Sequence, residues 1–432
     1  MMRTKLLMAI ACLLGLCIGF GACMKGDEEA EVNISTYVTA FGLDTIYGKY
    51  YKFSIDQVNH VIFNADSLPL GSDTLLNNIV IDTFSASGYI TSGLLDSLFV
   101  AGDSADLTPA INKPGISFKI ISNDASRTQN YNLQVNVHKV DPEVATWKNI
   151  SNLPADFLSA KSTDQKVLMK GKELMVFLRE NLLLKSEVSS ESAYSWKTFT
   201  MTGLPANAML HSALCYNDTL YMISAAGDVY NSVEGIDWQK NETLSGGVRT
   251  LLASFSDKLT AIKEVDGDLR YCLTKSSTEA WVIGELVHYG FPTEKVSSDV
   301  YFSSTGVERA ILVGMPLPVE NKTIPWMTID GDDWGAMTTD TDYFCPPMDN
   351  PTVMFYNKFF YIVESGLEEM YESMGGLVWG LSVGKFHFPE AVEGHKQYAL
   401  TVDDANYIWL LIIGNGGENT QLWRGRLNEL NK

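Results

Sequence analysis

Acidic side chains are the most abundant ionisable groups in this sequence, which has 52 Asp and Glu residues among 432. Two carboxylates about 5 to 10 Å apart can hydrolyse a glycosidic bond, because one protonates the leaving group while the other attacks or activates water. With so many carboxylates, some pair would satisfy this distance by chance. The acidic composition therefore identifies no catalytic residue, and we predict none.

Metal chemistry is weakly indicated as well. The acidic turns Asp266-Gly-Asp268 and Asp330-Gly-Asp-Asp333 could bind Ca²⁺, but they lack the regular series of oxygen ligands found in a dedicated loop. Solvated turns are the favoured interpretation. Three histidines show none of the spacings typical of zinc sites: His288, His387 and His395. The sequence predicts no metal and no cofactor.

The six cysteines fall into two groups. Cys12, Cys17 and Cys23 lie within the first 23 residues. The other three lie far apart, in or beside apolar stretches: Cys215, Cys272 and Cys345. Thiols so widely spaced do not make a disulfide framework, and we expect these three to be buried free cysteines.

The N-terminus has the features of a processed export signal. Arg3 and Lys5 form a basic region, an apolar run covers Leu6 to Phe20, and small residues follow at Gly21-Ala22. The segment Phe20-Gly-Ala-Cys23 resembles a bacterial lipobox. This resemblance implies lipidation of Cys23 and removal of residues 1–22 as a lipoprotein signal peptide. An ordinary secretory signal is the alternative.

Residues 23–33 are predicted to form an acidic tether after the lipid anchor, since two or three acyl chains hold a protein stably on a membrane. The segment Met24-Lys-Gly-Asp-Glu-Glu29 is similar to the surface-export signal of Bacteroidetes lipoproteins. It implies a lipid-anchored protein on the outside of the outer membrane, and a periplasm-facing tether is the alternative.

The charge of the chain limits its partners. Loss of Arg3 and Lys5 with the signal changes the net charge from −20 to −22. So acidic a protein is repelled by phosphate backbones. We therefore expect the membrane to be a partner and nucleic acid not to be one.

Residues 34–142 are predicted to form an immunoglobulin-like β-sandwich. Apolar residues alternate with polar ones at Ile116, Phe118 and Ile120, and again from Tyr131 to Val137. Such period-two patterns indicate half-buried antiparallel strands, and the turn-forming residues 122–128 between them favour a hairpin. The hairpin is similar to the closing strands of bacterial immunoglobulin-like and cadherin-like modules, and about 110 residues fit such a sandwich.

Three segments of this region together resemble one Bacteroidetes lipoprotein family. They are Phe53-Ser-Ile-Asp-Gln-Val58, Ile62-Phe-Asn-Ala-Asp-Ser-Leu-Pro69 and Val137-His-Lys-Val-Asp-Pro142. The family is DUF6242-like, that is, defined by a domain of unknown function. The resemblance covers nearly the whole chain after the signal. It implies an N-terminal immunoglobulin-like module and a C-terminal six-bladed β-propeller, and it implies no activity.

Residues 143–432 are accordingly predicted to form a six-bladed β-propeller. Tryptophans recur there at intervals of 42 to 53 residues: Trp147, Trp196, Trp238, Trp281, Trp334, Trp379 and Trp423. Strand-rich repeats of about 40 to 50 residues are typical of propeller blades. The 288 residues from 145 to 432 accommodate six of them. We expect the strand around Trp147 to pair with a late strand at Leu422–Leu427 and so close the ring.

Two similar acidic turns recur in this region, Ser232-Val-Glu-Gly-Ile-Asp-Trp238 and Thr328-Ile-Asp-Gly-Asp-Asp-Trp334. The first resembles the Asp-box of sialidase-type propellers, although it is one residue shorter and has Glu where Asp is usual. The segment from His211 to Ile223 resembles a kelch blade without its glycine doublet. Both resemblances imply structure only. We expect the acids to tie the turns and the tryptophans to pack between blades: Glu234, Asp330, Trp238 and Trp334.

Sialidase chemistry needs three converging arginines, and four residues of the repeat region are candidates: Arg179, Arg249, Arg270 and Arg309. No Arg-Ile-Pro signature opens the first blade. The favoured function is non-catalytic recognition of a glycan or protein through propeller loops. The alternatives are a degenerate sialidase-like or other glycoside hydrolase and a structural subunit of an outer-membrane complex. Two loop-like segments are candidates for binding positions, although core packing is the favoured interpretation of both: His288–Pro292 and Phe344–Pro347.

The lipidation of Cys23 can be tested in cells that express the full chain. Cys23→Ala should abolish incorporation of an alkyne-labelled fatty acid, because the thiol is the acceptor that the lipobox resemblance implies. Cys17→Ala is the matched control and should be labelled like the wild type. Undiminished labelling of Cys23→Ala would disprove the anchor.

Overall fold

The computed structural model describes residues 34–92, 97–99, 102, 104–188, 194–315, 322–338, 345–384 and 386–430. The predicted signal peptide, Cys23 and the tether to residue 33 lie outside these residues. The chain divides into two compact units, residues 1–141 and 142–432. The protein is all-β, with 47% strand and 5% helix. Among the described residues no helix is both long enough and apolar enough to cross a membrane.

The described residues of the first unit form ten strands and three short 3₁₀ turns. The strands are β1 Val38–Gly42, β2 Phe53–Asp56, β3 Val61–Asn64, β4 Ile79–Val80, β5 Thr83–Ala86, β6 Tyr89–Ser92, β7 Ser97–Leu98, β8 Ser104–Ala105, β9 Ile116–Ile121 and β10 Thr128–Gln134. The 3₁₀ turns are Ser72–Thr74, Leu76–Asn78 and Thr108–Ala110. Six strands form one sheet in the order β2-β3-β10-β9-β6-β7, and two ladders pair β1 with β5 and β4 with β8.

The hairpin predicted for this unit is confirmed. Strands β9 and β10 pair antiparallel, with Phe118 opposite Tyr131, and both side chains are buried. The connection is tied by Ser122, whose hydroxyl donates to Asp124 and accepts from the backbone N–H of Arg127. Strand β10 also pairs with β3 in parallel. The immunoglobulin-like assignment of the unit stays a prediction.

The second unit is a propeller of six four-stranded sheets. Blade 1 consists of β12 Lys166–Lys170, β13 Glu173–Leu178, β14 Leu182–Glu187 and β15 Lys197–Thr200; blade 2 of β16 Ala208–Tyr216, β17 Thr219–Ser224, β18 Val229–Ser232 and β19 Gln239–Lys240; and blade 3 of β20 Val248–Ser254, β21 Leu259–Val265, β22 Asp268–Thr274 and β23 Val282–Leu286. Blade 4 consists of β24 Ser297–Phe302, β25 Glu308–Val313, β26 Trp326–Thr328 and β27 Gly335–Ala336; and blade 5 of β28 Thr352–Tyr356, β29 Phe359–Val363, β30 Met370–Ser373 and β31 Gly380–Leu381.

Blade 6 combines the two ends of the unit and closes the ring. It contains β32 Tyr398–Val402, β33 Ile408–Ile412, β34 Gln421–Leu427 and, as its outer strand, β11 Ala145–Asn149. Strand β11 pairs antiparallel with β34, with Trp147 opposite Gly425. The predicted closure is therefore confirmed. A short helix, α1 (Ala155–Ser159), and a 3₁₀ turn at Glu390–Val392 lie in the connections, and a further 3₁₀ turn at Asn428–Leu430 follows β34.

The tryptophan repeat marks one position in the blade. In blades 1 to 5, one tryptophan directly precedes the outer strand: Trp196, Trp238, Trp281, Trp334 and Trp379. In blade 6, Trp147 lies within the outer strand. Trp423 lies on the third strand of blade 6. Trp423 fits the sequence interval, but it does not lie at the outer strand. In blade 6 the outer strand is β11, which carries Trp147.

The two acidic turns are tied by hydroxyl groups. Ser232 Oγ and Thr328 Oγ1 accept hydrogen bonds from the backbone N–H groups of Gly235 and Gly331, at 2.9 and 2.8 Å. The expected role of Asp330 is confirmed, since its carboxylate accepts from the backbone of residues 332 and 333.

The expected role of Glu234 is wrong. Its carboxylate reaches out of the turn to the Lys185 ammonium of blade 1, at 3.1 Å, because the turn lies against the preceding blade.

A third turn has the same spacing and was missed in the sequence. Ser373 Oγ accepts from the Gly376 N–H at 2.8 Å, and the indole of Trp379 donates to the Gly376 carbonyl at 2.7 Å. The common pattern is Ser or Thr, then Gly three residues later, then Trp after three more. The acidic residues, by which the first two turns were recognised in the sequence, do not belong to this common pattern.

The cores lie between neighbouring blades, as expected for the tryptophans. Trp238 packs with Phe177 of blade 1, with ring centroids 6.1 Å apart. Trp334 is fully buried in a cluster that joins blades 3 and 4. Of the three cysteines, Cys272 and Cys345 are buried and Cys215 is half-buried.

The turn glycines are predicted to be essential for blade packing. A Cβ on Gly235 would lie 2.9 Å from Met175 Cε of blade 1. Gly306 has the same backbone angle, φ +76°, but open space around a Cβ. Both alanine variants bear the cost of a left-handed residue, and only Gly235→Ala overpacks a core. Because the nearest atom is the flexible end of the Met175 side chain, urea unfolding should show Gly235→Ala to be less stable than Gly306→Ala by about 1 kcal/mol. Equal losses would contradict this packing.

Candidate functional site

The inner strands of the six blades surround a central channel. They are β12, β16, β20, β24, β28 and β32, and each contacts the next around the ring. At the end where these strands begin, the connections into them and the turns between second and third strands enclose two adjoining cavities of about 350 and 580 Å³. We call this end the mouth. Every blade contributes to its lining.

One carboxylate organises the first cavity. Asp164, two residues before β12, accepts from the Arg179 guanidinium at 2.9 Å and from the His211 ring Nδ1 at 2.7 Å. It also accepts from the backbone N–H groups of Leu210 and His211, at 2.8 and 2.9 Å. The Arg179 guanidinium donates in turn to the Ala208 carbonyl at 2.8 Å. Blades 1 and 2 are thereby joined at the mouth.

The surroundings of Asp164 fix its protonation. Burial raises its pKa, but hydrogen bonds from His211 and the charge of that ring outweigh burial, so the pKa of Asp164 is lowered. Asp164 is therefore a carboxylate at neutral pH and can only accept. The Nδ1 of His211 must carry the proton that it shares with Asp164, and Nε2 is the ring atom left for other partners. The imidazole is about one-third exposed.

Gln165 joins blade 1 to blade 6 on the other side. Its side-chain nitrogen donates to the Tyr398 carbonyl at 3.2 Å and to Gln397 Oε1 at 3.3 Å. Gln165 is 8% exposed, and its Oε1 has no hydrogen-bond partner among the described residues. A buried amide oxygen without a donor costs about 1 to 3 kcal/mol, so this atom is poised to accept a hydrogen bond.

The rim of the mouth carries paired charges. Arg249 forms an ion pair with Glu264 in the second cavity. Lys295 lies 3.6 Å from Asp349 across the first cavity. Lys396 is exposed on the connection into β32. The lining thus combines charged and polar groups with apolar side chains such as Met209 and Val248, and Tyr398 is the one Phe, Tyr or Trp residue of the first cavity's described lining.

Two ionisable groups lie on the inner strands of opposite blades. Burial lowers the pKa of Lys166 on β12 to about 8. Burial raises the pKa of Asp299 on β24 to about 6, although the backbone N–H of Phe355 donates to its carboxylate at 2.6 Å. Each acts electrostatically on the other. Because blades 1 and 4 are three positions apart, this interaction crosses the channel.

The four candidate arginines do not converge. Arg179 and Arg249 line different cavities and are each paired with an acid. Arg270 donates to the Gly284 carbonyl at 3.3 Å, and Arg309 interacts with Tyr301. Neither belongs to the described lining of the mouth. A three-arginine carboxylate clamp is therefore not formed by these residues.

The candidate cation ligands also lie apart. His288 Nε2 is 2.8 Å from Asp333, and His395 Nε2 is 3.0 Å from Glu418. The His387 carbonyl accepts from the Trp147 indole. Among the described residues, no group of three or more His, Cys, Asp or Glu side chains could hold a metal ion.

The two weak candidate segments contribute mainly to the core. The His288 ring stacks on Trp326, with centroids 6.1 Å apart, and Phe291 is buried beside both tryptophans of blade 4. Tyr289 alone is strongly exposed. In the second segment Cys345 is fully buried, and Phe344 lies outside the described residues.

The sequence did not reveal Asp164 and His211 as a pair. They are 47 residues apart and match no motif. A usable signal existed for Asp164 alone, because Asp164, Lys295, Asn350 and Lys396 each stand two residues before an inner strand, whereas His211 lies within β16.

Burial of Asp299 should make the stability of the protein pH-dependent. Its pKa is higher in the folded state than the ordinary 3.8, so stability is lost as pH rises through about 4 to 6. Asp299→Asn keeps an acceptor for Phe355 and removes the charge. By urea unfolding, the variant should gain about 3 kcal/mol relative to wild type between pH 4 and pH 7. Exposed Asp268→Asn, the control, should follow the wild type. Parallel pH profiles for Asp299→Asn and the wild type would contradict the burial of this charge.

Both units of the chain match known protein-family models. Residues 141–431 match the family model described as the DUF6242 beta propeller domain, and residues 28–135 match the DUF6242 N-terminal domain of unknown function. No curated protein sequence matches the chain.

Three similar solved structures illustrate the weak likeness outside the family. YjhT is 10% identical over 62% of this chain and 95% of its own, with a TM-score of 0.44. The Aleuria aurantia lectin, described as a six-bladed beta-propeller with a fucose recognition mode, is 11% identical over 63% and 93%, with a TM-score of 0.39. A thermostable family-43 glycoside hydrolase is 13% identical over 48% and 86%, with a TM-score of 0.30. Similarity this weak transfers neither a ligand nor an activity.

Proposed function

We propose that this chain, which belongs to the DUF6242 family, is a non-catalytic recognition protein that binds a glycan or protein partner at the mouth of its propeller. The observation that carries this proposal is the convergence of polar loops from all six blades on one open concave surface. Ligand sites are typically concave and pre-formed, with a few polar groups that fix orientation.

The polar groups of the mouth are held in place before any ligand arrives. Asp164 fixes both the Arg179 guanidinium and the His211 imidazole, and Gln165 is held by blade 6. Binding to groups that are already ordered costs less entropy. Their remaining donors and acceptors match hydroxyl and amide groups, which are the groups that saccharides and peptides present.

The same geometry disfavours hydrolysis. Glycoside hydrolysis requires one carboxylic acid that is protonated and a second carboxylate opposite it. The low pKa of Asp164 removes it as a proton donor, and its partners are cations and backbone N–H groups. Asp299 has a pKa of about 6, but its charged neighbour is Lys166 and not a second acid. A degenerate sialidase-like or other glycoside hydrolase is therefore the second choice.

The proposal places the protein at a membrane surface. The lipobox resemblance implies an anchor at Cys23, and the acidic tether implies export to the outside of a Bacteroidetes-type outer membrane. The first unit, proposed as an immunoglobulin-like module, follows the anchor and precedes the propeller in the sequence. A periplasm-facing orientation is the alternative.

A structural subunit of an outer-membrane complex is the third candidate. It has one observation in its favour. Several apolar side chains are exposed at the outer edges of blades 3 and 5: Val282, Leu286, Leu377, Val378 and Val383. Apolar surface of this kind is a common feature of docking sites.

A glycan array with the protein lacking residues 1–23 tests recognition at the mouth. The wild type should bind a defined set of glycans and release no product. His211→Ala should weaken binding about tenfold, since a hydrogen bond to the ligand is lost, and His138→Ala in the first unit should bind like the wild type. Release of product from any glycan would disprove the non-catalytic assignment. Wild-type binding by His211→Ala would place the site elsewhere.

A further inference from the structure

We propose that the two cavities of the mouth are subsites of one binding site, and that its ligand is a neutral oligosaccharide with one sugar ring in each cavity. This inference rests on the proposed function, because it specifies the ligand of the same site. Three features of the mouth carry it: the wall that the two cavities share, the pairing of the charges around them, and the different character of the two linings.

The two cavities share one wall. Met209 and His211 of blade 2 and Lys295 of blade 4 belong to the lining of both. A ligand that lies in both cavities must therefore pass over these side chains. The cavity volumes of about 350 and 580 Å³ both fall in the range of roughly 300–1,000 Å³ that is typical of small-ligand pockets. Each cavity can hold one unit of a larger molecule, and the shared wall sets the position of the link between the units.

The charges of the mouth cancel within the protein. Besides His211, the charged side chains of the described lining are four cations and four carboxylates: Arg179, Arg249, Lys295, Lys396, Asp164, Glu264, Glu294 and Asp349. Three of these cations already form ion pairs with three of these carboxylates. A charged ligand would compete for one partner of such a pair and leave the other partner without its counter-charge, which costs free energy. A neutral ligand binds beside the pairs and leaves them intact.

The first cavity suits the hydroxyl groups of a sugar. Its described lining has a single aliphatic residue. Among the described residues, the side chains of Thr163, Asn350 and Ser365 make no hydrogen bond, and all three belong to this lining. The ring Nε2 of His211 is a further free position, because Nδ1 is held by Asp164. Hydroxyl groups both donate and accept, so one sugar ring can satisfy amide, hydroxyl and imidazole groups together.

The second cavity combines apolar and polar surface. Met209, buried Val248 and half-buried Leu269 line it together with the ion pair of Arg249 and Glu264. A sugar ring has the same combination, with C–H groups on its faces and hydroxyl groups at its edge. A protein partner is usually anchored by an aromatic or arginine side chain in a fully desolvated pocket. An open cavity with an ion pair in its lining does not supply such a pocket, and we therefore favour a saccharide over a peptide.

Chain length and charge can be tested with the full chain in detergent. On an array of neutral and acidic mono-, di- and trisaccharides, the glycans bound should be neutral and have at least two rings. Calorimetry with a bound disaccharide should give one disaccharide per chain. Its affinity should exceed that of either constituent monosaccharide by about tenfold or more, because the second ring binds intramolecularly once the first is in place.

Filling one cavity at a time tests the two subsites separately. Ala225 is exposed and lines only the second cavity, and Ser365 lines only the first. Ala225→Trp and Ser365→Trp should each weaken binding of the same disaccharide by about tenfold or more, because each removes the space for one ring. Ala405→Trp is the matched control, since Ala405 is exposed in the turn between β32 and β33 at the opposite end of the propeller. It should bind like the wild type, and urea unfolding should give all three variants the wild-type midpoint.

The outcomes that would overturn the inference differ in what they mean for the proposed function. Equal affinities for the monosaccharides and the disaccharide, two ligands per chain, or a loss in only one of the two cavity variants would disprove the paired subsites. A preference for acidic glycans would disprove the neutral ligand. Binding to a peptide array and to no glycan would disprove the saccharide. Each of these results leaves recognition at the mouth intact, whereas failure to bind any glycan or peptide would overturn both proposals.

Discussion

The pairing of β11 with β34 is the interaction on which the rest of the propeller depends. It joins residues 145–149 to residues 423–427 and completes the sheet of blade 6 from opposite ends of the unit. Without it, β34 would be an exposed edge of blade 6. Trp147 supplies the outer-strand tryptophan of that blade and packs against Phe388. A single five-residue strand thus converts a row of sheets into a ring.

Ring closure is what makes the mouth a site. Gln165 of blade 1 reaches Tyr398 of blade 6, and Asp164 reaches the backbone of blade 2. These contacts position polar groups from blades that are distant in sequence. The channel below them brings Lys166 and Asp299 within electrostatic range. A surface that six blades build has no counterpart in any one repeat.

The sequence predicted the parts of the fold that recur or alternate. The tryptophan interval predicted six blades and their closure, and period-two alternation predicted the hairpin of β9 and β10. The prediction that Glu234 ties its turn was wrong. The turn is tied by the Ser232 hydroxyl, which accepts a hydrogen bond from the Gly235 N–H. The pairing of Asp164 with His211 could not be predicted from the sequence. That contact depends on how neighbouring blades align, and no local pattern records it.

The central claim is that ligand recognition occurs at the mouth and not on the outer edges or the first unit. Hydrogen–deuterium exchange of the full chain, with and without a glycan that it binds, measures this most directly. We predict that the ligand slows exchange in the segments that line the mouth: residues 163–165, 208–211, 293–295, 349–350 and 396–398. Slower exchange confined to the outer strands of blades 3 and 5 or to residues 34–141, with the mouth unaffected, would contradict the account.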